Sequence, residues 1–152
     1  MKVSLRIDSQ LEDTKVTIEC PELDDSVQQL LDFIKERETI FLIGSKGNMQ
    51  HILKPSVIHY FHSDKDGVLA VTHDGTFRLK EKLYELEEML PKSKFLRLSK
   101  SVIANLHELS RFEASFNGTL CVYFKSGAKE YVTRTYVPSI KEILNMNRRK
   151  NN

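Results

Sequence analysis

Cysteine is scarce in this chain: 152 residues contain only Cys20 and Cys121. Two distant cysteines, with no His or acidic partner beside either, read as reduced, semi-buried thiols. They make neither a disulfide framework nor a catalytic nucleophile. Long apolar runs are missing as well, since none approaches the roughly 18 residues that a membrane span needs. The opening MKVSLRIDSQ alternates and lacks the continuous apolar block of a signal peptide. These absences point to a cytoplasmic location. No fixed-period repeat and no low-complexity segment occurs.

The usual residue sets of catalysis and metal binding are also missing. Of five histidines, His59 and His62 are close, but a strand would turn them to opposite faces. No second cluster of Cys, His or Asp complements them, so no metal site is expected. GSKG at 44–47 opens no helix and is not a Walker loop; it reads as a hairpin turn. ELEE at 85–88 is a charged helical face, and the serines lack a base nearby in sequence. The chain is expected to have no catalytic activity, no cofactor and no small-molecule substrate.

What is present fits an ordinary globular protein, with 40% apolar and 29% charged residues. Net charge is +2, but it is split. Residues 1–44 carry 5 Lys/Arg against 10 Asp/Glu, a net of −5. From residue 92 onward the count is 12 against 4, a net of +8. A basic region rich in hydroxyls and amides is the footprint of a polyanion binder, and composition alone fits a lysine-rich solvated surface equally well.

Periodicity sketches the elements. KVSLRI and TKVTIEC alternate and read as half-buried strands, with Val3, Leu5 and Ile7 on one face and Val16, Ile18 and Cys20 on the other strand's face. Val27, Leu30, Leu31 and Ile34 then recur at helical spacing, with Asp24 or Asp25 available as a cap. This predicts a β-β-α extension over 1–44. Strands and hairpins follow, punctuated by Asp66-Gly67 and Asp74-Gly75. One central helix carries the stripe Leu79, Leu83, Leu86 and Leu90 and stops at Pro91. Strands return after it, separated by Asn117-Gly118 and Ser126-Gly127. A short C-terminal helix ends in a basic tail at 148–152. The expected fold is mostly β, with small antiparallel sheets and one short central helix.

Two triplets stand out: Ser99-Lys100-Ser101 and Thr133-Arg134-Thr135. Each sets a cation between hydroxyls where a strand ends or pauses. Hydroxyls anchor on phosphate, and Lys or Arg reaches phosphate or the guanine edge. Arg is the better base reader because its fork is rigid and bidentate. Taken singly, each triplet reads more simply as an exposed turn with local backbone bonds.

The order of segments resembles the LytTR family of bacterial DNA-binding domains. A strand such as VIHYFHSD leads into a hairpin closed by THDG; the helix LKEKLYELEEMLPKSKF follows. FLRLSKSVIANLHEL is similar to the family's Phe-x-Arg-x-His-Arg-Ser-x-x-Val-Asn signature, and YFKSGAKEYVTRTY to its closing motif. The resemblance covers about 45–145, within an expected DNA-binding domain at 45–147, and implies a sequence-specific regulator that reads major grooves of duplex DNA through inter-strand loops. It implies that Arg97, Lys100, Ser101 and Asn105 stand at signature positions, and Arg134 and Tyr136 at the closing ones. Ser99 departs from the pattern, standing where the family has His. Ser63 and Lys65 in the first hairpin are further expected contacts, and Lys92 and Lys94 are expected on phosphate. Phe95, Val102, Ile103 and Leu106 are expected in the core.

Many family members carry a receiver domain in front. Residues 1–44 are too short for one, which needs five strands. Control by phosphotransfer within this chain is therefore not expected. The family resemblance leaves room for a membrane-bound regulatory partner. The apolar stripe of the extension makes it the expected tie of a homodimer on paired half-sites. The rival reading is a β-rich protein–protein interaction module. Salt separates the two, because phosphate binding weakens by roughly 0.9 log units per log salt for each contacted phosphate.

Overall fold

A computed structural model describes residues 1–12, 14–37 and 40–150. Helix α1 (Asp25–Arg37) precedes strands β1 (Leu42–Lys46), β2 (Met49–Leu53), β3 (Ile58–Asp64), β4 (Gly67–Thr72) and β5 (Gly75–Leu79). Helix α2 (Leu83–Met89) is followed by β6 (Phe95–Ser99), β7 (Val102–Asn105), β8 (Leu109–Ala114), β9 (Leu120–Phe124) and β10 (Lys129–Val132). Helix α3 (Val137–Lys150) is the last described element, so the basic tail is helical up to Lys150, and Asn151 and Asn152 lie outside the described residues. The first seven strands form one antiparallel sheet in the order β2-β1-β5-β4-β3-β7-β6, and β10-β9-β8 form a second.

Two apolar cores lie on opposite sides of the β6–β7 hairpin. One gathers Leu42, Ile58, Phe61, Phe77, Phe95 and Ile103 under Leu83, Leu86 and Leu90 of the α2 region. The other joins Leu98, Val102 and Ala104 to Leu120, Val122, Phe124 and Val132 of the small sheet and to Val137 and Ile140 of α3. All four residues of β7 are buried. Side chains alternate across a strand, so Ile103 serves the first core while Val102 and Ala104 serve the second. Phe95, Val102 and Ile103 are core as expected; Leu106 is only half-buried.

Three local expectations change. The central helix does not begin near Leu79, which ends β5 opposite Val68. It begins at Leu83, where the Glu85 carboxylate accepts the Lys82 N–H at 3.1 Å. Leu79 still joins the same core, but from a strand. Gly44 is not a turn residue: it pairs with His51 inside β1, and the turn falls after Lys46. In the extension, α1 forms with Asp24 as its cap, accepting the Val27 N–H at 2.9 Å. The two strands before it do not form: the described residues of 1–24 hold no strand, and Val3, Leu5 and Ile7 are 88%, 85% and 88% exposed. A strand needs a neighbour for its backbone groups, and the described residues of these segments join neither sheet. Cys20 is exposed and Cys121 buried, both as free thiols.

A Cβ on Gly44 would stand 2.6 Å from Phe77 Cβ and 2.7 Å from Leu53 Cδ1. Glycine in a strand interior ordinarily costs roughly 0.5–1 kcal/mol against alanine, but overpacking a core costs roughly 1–3 kcal/mol. The overpacking cost wins, so Gly44→Ala should lower the midpoint of thermal unfolding, not raise it.

Candidate nucleic-acid interface

Local chemistry builds each triplet into a stiff turn. At the β6–β7 corner, Ser99 Oγ accepts the Ser101 N–H at 3.2 Å and lies 3.3 Å from the Ser101 hydroxyl. This is a serine-closed turn, and it holds Ser99 inside and leaves Lys100 and Ser101 exposed. Arg97 braces the corner from behind, with Nη1 donating to the Lys100 carbonyl and Nε to Glu87 of α2, each at 3.0 Å. Its side chain is 15% exposed.

At the β10–α3 junction, the Thr133 carbonyl accepts the Tyr136 N–H at 2.9 Å and the Val137 N–H at 3.2 Å, opening the first turn of α3. Pro138 fits there because its missing N–H is an orphan at that position anyway. Thr133, Arg134 and Thr135 are exposed, and Tyr136 is half-buried. Neither Lys100 nor Arg134 has an acidic partner among the described residues.

Backbone hydrogen bonds bring the segments together. The Thr133 N–H donates to the Leu98 carbonyl at 3.0 Å, and the Ser63 N–H to the Ser101 carbonyl at 2.8 Å. The first is possible because β6 slips register between Arg97 and Ser99. Such a bulge frees one residue from the ladder and re-aims it. Both triplets and the β3–β4 turn with Ser63 and Lys65 therefore share one end of the fold. The β8–β9 loop lies there too, since Ala114 and Val132 both face Leu120. In sequence Asn117-Gly118 reads only as a separator of strands; the left-handed φ of 57° at Asn117 marks it as something more.

The remaining candidates do not join this group. Asn105 is 3% exposed. Its amide donates to the Ile58 carbonyl at 2.9 Å and its oxygen accepts the His107 N–H at 3.1 Å. With both ends engaged, Asn105 holds the β3 and β7 ends together. Lys92 and Lys94 precede β6, a strand length of roughly 13 Å from the Ser99–Ser101 corner. Lys94 lines a cavity of about 490 Å3 with Lys35, Lys54 and His107 at that far end.

The turn carrying Lys65 has its own brace. Asp64 takes both Arg78 nitrogens, at 2.8 and 3.1 Å, and the Asp66 N–H at 2.9 Å. Those bonds, the Arg78 pair first, hold its carboxyl down at about 2.

The LytTr DNA-binding domain matches residues 48–145, which include every loop at this end. The chain belongs to the LytTR family. Proteins from Staphylococcus aureus strains NCTC 8325 / PS 47 and COL, each named as an uncharacterized HTH-type transcriptional regulator, are 32% identical over 147 residues. Those alignments cover 96% of this chain and 99% of each relative. A solved LytTr DNA-binding domain from Bacillus cereus superposes with a TM-score of 0.66 at 19% identity, covering 68% of this chain and 95% of that one. It shares the LytTR fold. The relatives' names invoke a helix-turn-helix, yet among the described residues strands separate α1 from α2 and α2 from α3.

A pH titration tests the Asp64 brace. A carboxyl held below its ordinary value stabilises its surroundings above pH of about 4 and loses that effect as pH falls toward 2. The amide signals of Asp66 and Gly67 should keep their folded positions down to pH of about 4. In Asp64→Asn they should shift already at pH 7.

Proposed function

We propose that this chain is a sequence-specific transcriptional regulator that reads the major groove of duplex DNA with loops, not with a recognition helix. The observation that carries the proposal is the Thr133–Leu98 hydrogen bond, which sets the Ser99–Ser101 and Thr133–Thr135 triplets side by side. Arg134 is the base reader, since it is exposed, unpaired by acid and able to grip a guanine edge with two donors. Lys100 reaches a base or a neighbouring phosphate. Ser101, Thr133 and Thr135 supply hydroxyl and backbone donors for phosphate, and Ser63 and Lys65 extend that anchoring along the duplex. Arg97, Ser99 and Asn105 act one step behind, by fixing the loops. Lys92 and Lys94 act only on phosphate, if the duplex extends to their end of β6.

The protein works where the chromosome is, in the cytoplasm, and no described helix is long and apolar enough to cross a membrane. We draw its domain boundary upstream of Leu42, because β1 belongs to the large sheet. The segment before it is the candidate tie between two copies. Val3, Leu5, Ile7 and Val16 are exposed, and Val27, Leu30, Leu31 and Ile34 of α1 are half-buried at best. A single module of this kind buries roughly 600–1,000 Å2 on DNA. Coupling two copies raises avidity without new contacts. A membrane-bound partner covering the same apolar segment is the competing occupant. A chain that stays monomeric in solution at micromolar concentration would favour that partner over the homodimer.

Bound sequences selected from random duplex DNA provide the operator for the test. Arg134→Ala should then cost about 1–3 kcal/mol of operator affinity and flatten preference at one base position. Unchanged binding by this variant would refute the base-reading role. Half-sites should recur at about one helical turn of 10–10.5 base pairs. Inserting five base pairs between them should weaken binding more than tenfold, and ten should restore part of it. Equal binding to all three spacings would mean that each chain binds alone.

A further inference from the structure

The Ser115–Thr119 loop has no part in the family signature, yet it is built with care. Thr119 Oγ1 donates to the Phe116 carbonyl at 2.6 Å, and the Ser115 N–H donates to the Thr119 carbonyl at 2.9 Å. Asn117 and Gly118 follow one another in the left-handed region, at φ of 57° and 76°. Asn117 is the one described residue other than glycine to do so. Such a backbone is uncommon outside glycine, and Asn tolerates it best.

The geometry explains where that turn leads. A Cβ on Gly118 would stand 3.3 Å from Arg134 Cδ and 3.5 Å from Arg134 Cγ. The aliphatic stem of Arg134 thus lies across the bare backbone of Gly118. A Cβ there would press the stem aside by a few tenths of an ångström, and the guanidinium at its end would move further, because the displacement swings about a point near the chain. Bidentate pairing with a base edge is intolerant of such a shift, since both donors must align together.

We infer that Gly118 is a positioning residue for Arg134, so that the β8–β9 loop takes part in DNA recognition by setting the direction of the guanidinium. The inference rests on the base-reading role proposed above for Arg134. It adds a residue that the signature does not contain. It also accounts for a loop whose left-handed pair serves no core contact, because neither Asn117 nor Gly118 is buried.

The test is a double-mutant cycle on the full chain with the selected operator. Gly118→Asn adds a Cβ under the Arg134 stem while keeping a residue that accepts the left-handed backbone. Gly127→Asn is the control. Gly127 also has a positive φ, of 93°, but nothing lies within 4 Å of its Cβ position, at the far end of the small sheet. Gly118→Asn should weaken operator binding about three- to tenfold and blur the same base position as Arg134→Ala. It should have no further effect when Arg134 is already Ala, and Gly127→Asn should bind as the unaltered chain does. Equal losses from Gly118→Asn with and without Arg134 would overturn the inference, because the glycine would then act on something else. A Gly118→Asn chain that binds normally while Arg134→Ala is weakened would overturn it as well, leaving the base-reading role intact. If Arg134→Ala itself binds normally, the base-reading role fails and the inference fails with it. Thermal midpoints of all variants separate misfolding from recognition. A lower midpoint with weaker binding to every sequence, in both Arg134 backgrounds, would make Gly118 structural only.

Discussion

Two sheets that share no continuous ladder are joined where the Thr133 N–H meets the Leu98 carbonyl. The bond is small, worth roughly 0.5–1.5 kcal/mol, but its place decides the geometry of the reading end. Leu98 sits at the bulge of β6 and buries its side chain fully in the second core. Its carbonyl is therefore fixed by packing, and Thr133 is fixed to it. Arg134 follows immediately, and α3 begins just after. Moving this junction would move the second triplet away from the first while leaving both local turns intact.

The double burial of β7 gives the junction its stiffness. A strand packed on both faces has little room to shift, since core packing is as dense as an organic crystal. The β6–β7 corner hangs from that strand, and Arg97 adds a tie from Lys100 back to Glu87 on α2. Three side chains at signature positions are engaged within the fold: Arg97, Ser99 and Asn105. What remains outside is a short row of exposed groups on stiff backbone. Loops held in this way lose little freedom when they bind, which is what preorganisation contributes to affinity.

Much of the fold was legible from period alone. Alternation and turn dipeptides located the strands from β1 to β10, and the two triplets fall at one end of the fold. What the pattern could not carry was distance in space. Asn105 reads as a polar residue in a basic segment; only the pairing of β3 with β7 shows both ends of its amide in use. Leu79 fits a helical stripe and a strand end equally well, and tertiary pairing with Val68 chose the strand. Gly44 looks like half of a turn until Phe77 is found against it. The alternating segments before α1 show the opposite limit. Their pattern is that of strands, but a strand also needs a paired neighbour, and the described residues of these segments pair neither with each other nor with either sheet.

The central claim is that one end of the molecule, built from four loops, meets DNA. Amide chemical shifts of the labelled full-length chain, followed as the selected operator duplex is added, test it most directly. The largest changes should cluster at 63–67, 99–101, 115–119 and 133–136. Asn105 and the lining of the Lys35–Lys54–Lys94 cavity should change little. Changes concentrated at that cavity, with the two triplets unmoved, would contradict it.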